Sequence, residues 1–378
     1  MKILWLTENY PPNRGGMAQS CDRIVYNLRQ QGLEIHVLHL TQRVKQIKYK
    51  QVQGGQDIFY PTHVDLAHTL NCMWHFLTSQ HEQAPYTHLV VFGGHFPMFA
   101  GPTFARLLGI PLITLLRGND FDAGLFTPRK RKILEDCLRN SSLVCAVSKD
   151  KLEKMAALFP EVRTAYIPNG IDTSDWQPLA SDLSFSKLWR TEHLQGGQKV
   201  IGLFGHLKEK KGVTFFLQQL CKLQLQTAFH LLIVGDLSQE VADFFEENAQ
   251  LPTTEQLQYT LYPFMDRFEL LAYYPICDIV AIPSFYDGLP NVLLEVGALG
   301  IPLIASRVAG MADVLEPSTH GFLFHPTDEA SCREAIYQLY QTSSVQLQEM
   351  GQACQALICE QLNHHQEAAR YKEVFEQL

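Results

Sequence analysis

Residues 279–305 read IVAIPSFYDGLPNVLLEVGALGIPLIA, and this stretch decides the fold class. An apolar run at 279–283 predicts a buried strand, 291–299 predicts a helix, and 303–305 predicts a second strand. The turn before the helix contains Asp287-Gly288, a dipeptide typical of tight turns. Continuous apolar strands that alternate with helices are typical of parallel sheets with both faces covered. The stretch therefore predicts one unit of an α/β domain.

The same alternation continues on both sides of this stretch, with one interruption. Further strands are predicted at 3–8, 35–40, 89–92, 111–116, 143–147, 200–205, 230–234 and 259–262. Between about residues 173 and 198 the sequence is polar and turn-rich, which predicts a linker. We therefore expect an α/β fold of two Rossmann-like doubly wound domains, residues 1–180 and 198–360. Ligands of such folds bind outside the carboxyl ends of the parallel strands, so this fold predicts a substrate site in a cleft between the two domains.

The length and composition agree with this interpretation. A chain of 378 residues exceeds the roughly 250–300 at which a single hydrophobic core stops growing, so two domains are expected. The hydrophobic fraction is 46% and the charged fraction is 19%, which excludes a disordered, collagen-like or coiled-coil chain. The net charge of −8 argues against bulk attraction to nucleic acid.

The charge is unevenly distributed along the chain. Residues 1–185 contain 19 lysines and arginines against 16 acidic residues, whereas the remainder contains 12 against 23. The basic excess lies in residues 43–50 and 129–132. Two interpretations are open: these clusters are solvated faces, or they form a surface for anionic lipid or a phosphorylated acceptor.

The cysteines and the apolar runs bear on the compartment. Nine cysteines occur without a CxxC pair, which favours a reducing compartment over a disulfide framework or a zinc site. Met1-Lys2 leads directly into a short strand, and no run of about 18 apolar residues occurs, so neither a secretory signal nor a membrane span is expected. We expect a cytoplasmic protein without a metal, since the paired histidines lack carboxylates at ligand spacing.

The turn at 287–291 carries groups suited to a sugar phosphate. Asp287 and Glu295 are eight residues apart, and ionised carboxylates accept hydrogen bonds from sugar hydroxyls. The backbone N–H groups at the helix start near Asn291 can hold phosphate. The alternative is a capped helix start with a surface glutamate.

Asp287-x7-Glu295, followed by a small-residue and Gly-Pro stretch, resembles the signature of the family 4 glycosyltransferases, Glu-x7-Glu. These are retaining enzymes of the GT-B fold, which has two Rossmann-like domains, and the resemblance covers nearly the whole chain. It implies that Glu295 holds the ribose of a nucleotide sugar and that Asp287 meets the transferred sugar. The turn residues implied to meet the sugar and phosphates are Gly288, Leu289, Pro290, Asn291 and Val292. The last helix, 363–378, is implied to cross back to the first domain.

The segment LFGHLKEKKG at 203–212 resembles the family's Gly-Arg-Leu…Lys-Gly segment, whose Arg and Lys neutralise the donor diphosphate. Lys211 matches the lysine. His206 stands where the family has arginine, and a histidine carries full positive charge only below about pH 6.5. Either a protonated His206 assists catalysis, or Lys208 or Lys210 does, or catalysis is weaker.

Two further matches lie in the first domain. PPNRGG at 11–16 resembles the family's first loop, which implies that Gly15 and Gly16 approach donor phosphates or the acceptor; the alternative is a plain turn. In LLRGND at 115–120, Arg117 replaces a histidine that the family commonly places near the transferred sugar, and Asp120 keeps the acidic position. We predict sugar or acceptor contacts for both, and a structural salt bridge is the alternative.

The resemblance implies a retaining glycosyltransferase that moves a hexosyl group from a nucleotide-diphosphate sugar to an acceptor hydroxyl. The donor serves as a substrate, UDP-sugar before GDP-sugar, and no cofactor is expected. The acceptor is a glycan, a lipid-linked sugar or a small molecule, and the basic clusters of the first domain suggest peripheral contact with the inner membrane face. The alternatives are a non-hydrolysing nucleotide-sugar epimerase, and a carbohydrate or nucleotide-sugar binding protein with a degraded site.

Overall fold

The computed structural model describes residues 1–13, 15–117, 120–253 and 255–378. The chain forms two compact units. Unit 1 consists of Met1–Asn169 and His364–Leu378, and unit 2 consists of Gly170–Asn363. Both are α/β units built on parallel strands, as the sequence predicts.

Unit 1 has an eight-stranded sheet. Its strands are β1 Lys2–Thr7, β2 Glu34–Thr41, β3 Lys48–Val52, β4 Gly55–Pro61, β5 His88–Phe92, β6 Leu112–Leu116, β7 Leu143–Ala146 and β8 Thr164–Tyr166. Its first six helices are α1 Gly16–Gln30, α2 Leu66–Gln83, α3 His95–Leu108, α4 Asp120–Leu125, α5 Pro128–Arg139 and α6 Lys149–Leu158. The strand order is β3-β4-β2-β1-β5-β6-β7-β8, and the β3–β4 pair is antiparallel.

The central strand of unit 1 shows why its sequence is continuously apolar. In β1, Leu4 and Leu6 belong to the core on one face of the sheet, whereas Ile3 and Trp5 belong to the core on the other face. Successive side chains of a strand point to opposite faces, and here helices cover both faces. Each face takes every second residue, and the residues on both faces are apolar. The strand therefore reads as an uninterrupted apolar run in the sequence.

Unit 2 has a six-stranded sheet in which every described pair is parallel. Its strands are β9 Lys199–Phe204, β10 Phe229–Val234, β11 Gln258–Tyr262, β12 Ile279–Ile282, β13 Leu303–Ser306 and β14 Gly321–Phe324. Its helices are α7 Ala180–His193, α8 Val213–Lys222, α9 Gln239–Ala249, α10 Arg267–Tyr273, α11 Asn291–Ala298, α12 Ala309–Val314, α13 Glu329–Gln341 and α14 Ser344–Gln361. The order is β11-β10-β9-β12-β13-β14, so the direction of winding reverses between β9 and β12. Loops at such a reversal diverge and leave a crevice at the carboxyl ends of the strands.

Several elements were not predicted from the sequence: helix α7 and strands β3, β4, β8 and β14. Residues 173–198, predicted as a linker, contain helix α7, which buries Ser186 and Trp189 within unit 2. The indole N–H of Trp189 donates to the Tyr262 hydroxyl at 2.9 Å. The β3–β4 hairpin was not predicted because β3 lies at the sheet edge with four of its five residues exposed, and so it has no apolar pattern.

The last helix, α15 His364–Glu376, belongs to unit 1, which confirms the predicted crossing back. It buries Glu367, Ala368, Tyr371 and Phe375. Tyr371 and Phe375 join the core that also contains Ile24 and Leu28 of α1. Within the four described ranges, no helix has the length and apolar character that crossing a membrane requires.

Candidate functional site

The loops that follow β9 and β12 carry most of the residues predicted to bind the donor. β9 and β12 are neighbours at the point where the winding of the unit 2 sheet reverses. His206 and Lys211 lie in the loop after β9, and Asp287 lies in the loop after β12. Parallel strands end at the same edge of a sheet, so these side chains are brought together although they are distant in sequence.

Lys211 and Asp287 form a direct ion pair. Lys211 Nζ donates to Asp287 Oδ2, and both side chains are mostly buried, with exposed fractions of 29% and 17%. The other oxygen of Asp287, Oδ1, accepts the backbone N–H of Gly288 at 3.0 Å. The carboxylate therefore fixes both the turn that begins α11 and the position of the lysine ammonium. The ammonium has three donors, so it can bind an anion while it remains paired.

The backbone holds these two loops together as well. The N–H of Phe285 donates to the carbonyl of Lys210 at 2.9 Å. Gly212 has φ +61°, and a Cβ there would lie 2.2 Å from the carbonyl oxygen of Pro283. Only glycine permits this close approach at this backbone conformation. Because Gly212 has no side chain, the loop after β9 can approach the end of β12 closely. The neighbouring Lys211 is thereby placed at the end of β12.

The turn and the start of α11 present backbone groups that can bind an anion. Gly288, Leu289 and Pro290 are buried, and Asn291 and Val292 are half-buried. Pro290 is the N-cap of α11 and offers no side-chain hydrogen bond to the first helical N–H groups. Those N–H groups, together with the positive end of the helix dipole, favour a phosphate at this position.

Glu295 lies one turn into α11, where Tyr274 positions it. The Tyr274 hydroxyl donates to Glu295 Oε2 at 2.6 Å. Tyr274 is fully buried, and its ring packs against Phe204 and Trp176 with centroids 4.4 and 5.9 Å away. Burial and the neighbouring Glu295 carboxylate raise the pKa of Tyr274 well above its usual value, so the hydroxyl stays a donor. A carboxylate has about four acceptor sites, so Glu295 can accept ribose hydroxyls in addition to this bond.

His206 lies at the exposed rim of the same crevice. Its Nδ1 is 2.9 Å from Asp236 Oδ2, and its ring stacks on Phe264 with a centroid distance of 5.5 Å. Asp236 follows β10 and Phe264 follows β11, so three neighbouring strand ends contribute one residue each. Asp236 and Tyr274 were not predicted from the sequence. For Asp236 the available signal was its position directly after a predicted strand.

The predicted residues of unit 1 have different environments. Gly15 has φ +109° and immediately precedes α1, which begins at Gly16. The loop before it is held by Tyr10, whose hydroxyl donates to Asp57 Oδ1 at 3.2 Å. Asp120 begins α4, but its side chain lies outside the described part of the structure.

Arg117 is buried, and its guanidinium is bound by the C-terminal helix. It is 3% exposed, donates to the Tyr371 hydroxyl at 2.8 Å and to Asn169 Oδ1, and lies 3.4 Å from Glu367 Oε1. Burial disfavours its charge, but Tyr371 and Glu367 outweigh this and hold the pKa of Arg117 above its usual value. The structural salt bridge that the sequence left as an alternative is therefore present.

The described residues contain no group of three or more histidine, cysteine, aspartate or glutamate side chains arranged to hold a metal ion.

Comparison with known families assigns both units. The family described as "Glycosyltransferase Family 4" matches residues 14–175, and that described as "Glycosyl transferases group 1" matches residues 198–342. The chain belongs to the family 4 glycosyltransferases. It is an enzyme of this class, as the sequence resemblance implies. The comparisons give no support to an epimerase or to a binding protein without activity.

Relatives and solved structures match this chain over nearly its whole length. An uncharacterised glycosyltransferase of Methanocaldococcus jannaschii is 24% identical over 88% of this chain and 87% of its own. A GDP-mannose-dependent phosphatidylinositol monomannoside mannosyltransferase of Mycolicibacterium smegmatis is 22% identical over 89% and 88%. Sucrose-phosphate synthase from Thermosynechococcus elongatus superposes with a TM-score of 0.80 at 15% identity over 100% and 99%. Anabaena HepE, in complex with UDP, gives 0.76 at 18% over the full length of both chains. These structures establish the GT-B fold.

Proposed function

We propose that this glycosyltransferase transfers a hexosyl group from a nucleotide-diphosphate sugar bound to unit 2, with retention at the anomeric carbon. The observation that carries the proposal is the meeting of Lys211, Asp287 and the start of α11 at the switch point of the unit 2 sheet. Glu295, held by Tyr274, lies further along the same helix. The cation and the helix start suit the diphosphate of such a donor. The two carboxylates suit the hydroxyls of its ribose and of its sugar.

The donor diphosphate is assigned to Lys211 and the N–H groups at the start of α11. The ribose is assigned to Glu295, whose carboxylate is an acceptor for vicinal hydroxyls. Asp287 is assigned to the transferred sugar and to the orientation of Lys211. UDP is the first choice for the nucleotide and GDP the second. The solved structure of HepE contains UDP, and the mycobacterial relative is named for GDP-mannose.

In the proposed reaction the bond between the anomeric carbon and the diphosphate oxygen breaks, and the acceptor oxygen bonds to that carbon. The acceptor proton passes to a diphosphate oxygen, so no separate base is required. Negative charge develops on the leaving diphosphate, and Lys211 with the α11 dipole stabilises it. Preorganised donors of this kind each contribute about 10²- to 10³-fold to the rate.

We propose that the acceptor is a glycan, a lipid-linked sugar or another small molecule that contacts unit 1. Unit 1 contains both basic clusters, and the mycobacterial relative is named for a phosphatidylinositol-based substrate.

We also propose a cytoplasmic location, because all nine cysteines are free thiols and six of them are buried.

The proposal is tested by thermal unfolding with UDP, GDP and ADP and with their hexose conjugates. One nucleotide should raise Tm, and a ligand at 100 times its Kd adds about 2.7 kcal/mol of stability. Glu295→Ala should abolish this shift. The configuration of the product is then followed by proton NMR with that nucleotide's hexose conjugate. An α-linked product from an α-linked donor supports retention.

Two results would contradict the proposal. The absence of any shift at millimolar nucleotide would exclude the donor site. An inverted product would exclude the retaining reaction while leaving the donor site intact. The matched control is Glu240→Ala, an exposed glutamate in the first turn of α9 in the same unit, which should leave the nucleotide shift unchanged.

A further inference from the structure

The corner between α4 and α5 exposes an aromatic ring beside four basic side chains. Phe126 is 88% exposed, and Arg129, Lys130, Arg131 and Lys132 are all exposed. No acidic residue occurs between residues 123 and 134. We infer that this corner, residues 126–132, docks unit 1 on an anionic lipid bilayer. Phe126 enters the interface between headgroups and acyl chains, and the basic side chains bind the headgroups.

The exposure of Phe126 is fixed by well-packed neighbours. Phe121 is fully buried and Leu134 is 2% exposed, and both belong to the core of unit 1. Asp122 accepts from Lys154 of α6 at 2.9 Å, which ties α4 to the rest of the unit. A Cβ on Gly124 would lie 2.9 Å from Leu134 Cδ2, so α4 and α5 are in close contact. The ring therefore projects from a supported corner.

The basic side chains of α5 have no evident role in folding. Positive charges in the first turn of a helix oppose its dipole, and α5 has no acidic residue there. Only Arg131 forms an ion pair among the described contacts of these four residues, with Glu135 at 2.6 Å. An aromatic ring and uncompensated cations on one surface are the combination that binds anionic membranes.

The corner also lies close to the predicted acceptor region of unit 1. Along the chain it follows the end of β6 by nine residues, among which Asp120 is predicted to contact the sugar or the acceptor. Unit 1 contains 21 lysines and arginines against 16 acidic residues, whereas unit 2 contains 10 against 23. A bilayer with anionic lipid therefore attracts unit 1 rather than unit 2. The inference rests on the proposed lipid-linked acceptor.

The test is flotation of the full chain with vesicles of phosphatidylcholine, with and without about 30% phosphatidylglycerol. We expect binding to the anionic vesicles only. The triple variant R129Q/K130Q/K132Q should weaken it about 100-fold, since each cation near the surface contributes about one factor of five. Phe126→Ser should weaken it about 10-fold or more, because the apolar ring no longer inserts.

The hairpin cluster provides a matched control. R43Q/K45Q/K48Q removes the same charge at exposed positions in β3 and just before it. In the sheet, β3 lies five strands from β6, which corresponds to a distance of about 24 Å between the two strands. This variant should change vesicle binding less than threefold. Equal binding to both vesicle types, an equal loss in the hairpin variant, or wild-type binding by the α5 variant would overturn the inference. The UDP-induced Tm shift, measured on each variant, reports the donor site separately. Failure of the membrane-docking inference is therefore distinguishable from failure of the proposed function.

Discussion

The ammonium of Lys211 pairs with the carboxylate of Asp287 across 76 positions of sequence. This contact unites two residues that the family resemblance had assigned to different parts of the donor. It also explains how an aspartate can stand at the family's glutamate position: its short side chain binds both the lysine and the N–H of Gly288. The lysine is thereby held beside the start of α11 before any donor binds.

Lys211→Gln should lower kcat by about 10²- to 10³-fold, because it removes the cation that meets charge on the leaving diphosphate. Steady-state kinetics with the nucleotide sugar that stabilises the protein measure this. Lys208→Gln is the control, since Lys208 is exposed in the same loop and should retain activity within a few-fold. Equal losses in the two variants would mean that the loop contributes charge in general rather than through Lys211.

Tyr274→Phe should weaken donor binding about 10-fold while kcat changes little. The variant keeps the buried ring but removes the hydroxyl that orients Glu295, and a hydrogen bond to a charged group contributes about 1.5–3 kcal/mol. Titration calorimetry with the nucleotide measures the loss. Tyr273→Phe serves as the control because its ring packs on Tyr262 and Phe185 in the same region. A large fall in kcat at unchanged affinity would show that Tyr274 acts in another way.

Glu367→Gln should destabilise the protein by about 3 kcal/mol. Arg117 and Glu367 are almost completely buried, and removing one partner leaves an uncompensated buried charge. Urea unfolding compares this variant with Glu373→Gln, an exposed position on the same helix, which should lie within about 0.5 kcal/mol of wild type. If Glu367→Gln were neutral, the salt bridge would not be what commits Arg117 to α15.

His230 should make unit 2 sensitive to acid. Burial, with a contribution from His193, lowers the pKa of His230 from 6.5 to about 4. Between these values the unfolded state binds more protons than the folded state, so stability falls as the pH falls from 6.5 towards 4. The loss at pH 5 relative to pH 7 should be about 2 kcal/mol, and His230→Gln should remove it.

Urea unfolding of wild type and His230→Gln at both pH values measures this difference. His325→Gln makes the same chemical change at an exposed position and should leave the pH dependence unaltered. An identical pH dependence in wild type and His230→Gln would contradict the assignment.

The sequence predicted the sheets well where strands are buried on both faces. β9, β10, β12 and β13 lie within about one residue of the predicted strands because their apolar runs are continuous and bounded by turns, whereas the short strand β14 was missed although it is mostly buried. Helix α7 was missed because Ser186 and Trp189 are its only buried residues, which is too narrow an apolar stripe for a clear helical period.

The candidate site was predictable where its residues follow strand ends. Lys211, Asp287 and Glu295 were singled out from local motifs, and the structure brings the first two into contact. The role of Arg117 was not decidable in this way. Its partner Glu367 lies 250 positions later, and a motif around residue 117 contains no sign of it. Tyr274 was missed for the same reason, because its hydroxyl matters only through its contact with Glu295.

The proposed binding site for the donor nucleotide lies in the switch-point loops of unit 2. Titration calorimetry of UDP and, in parallel, GDP into wild type, Lys211→Gln and Glu295→Ala tests it most directly. One nucleotide should bind wild type, and each variant should lose at least about 10-fold in affinity for it. Equal affinity in all three proteins, or no binding of either nucleotide to wild type, would contradict it.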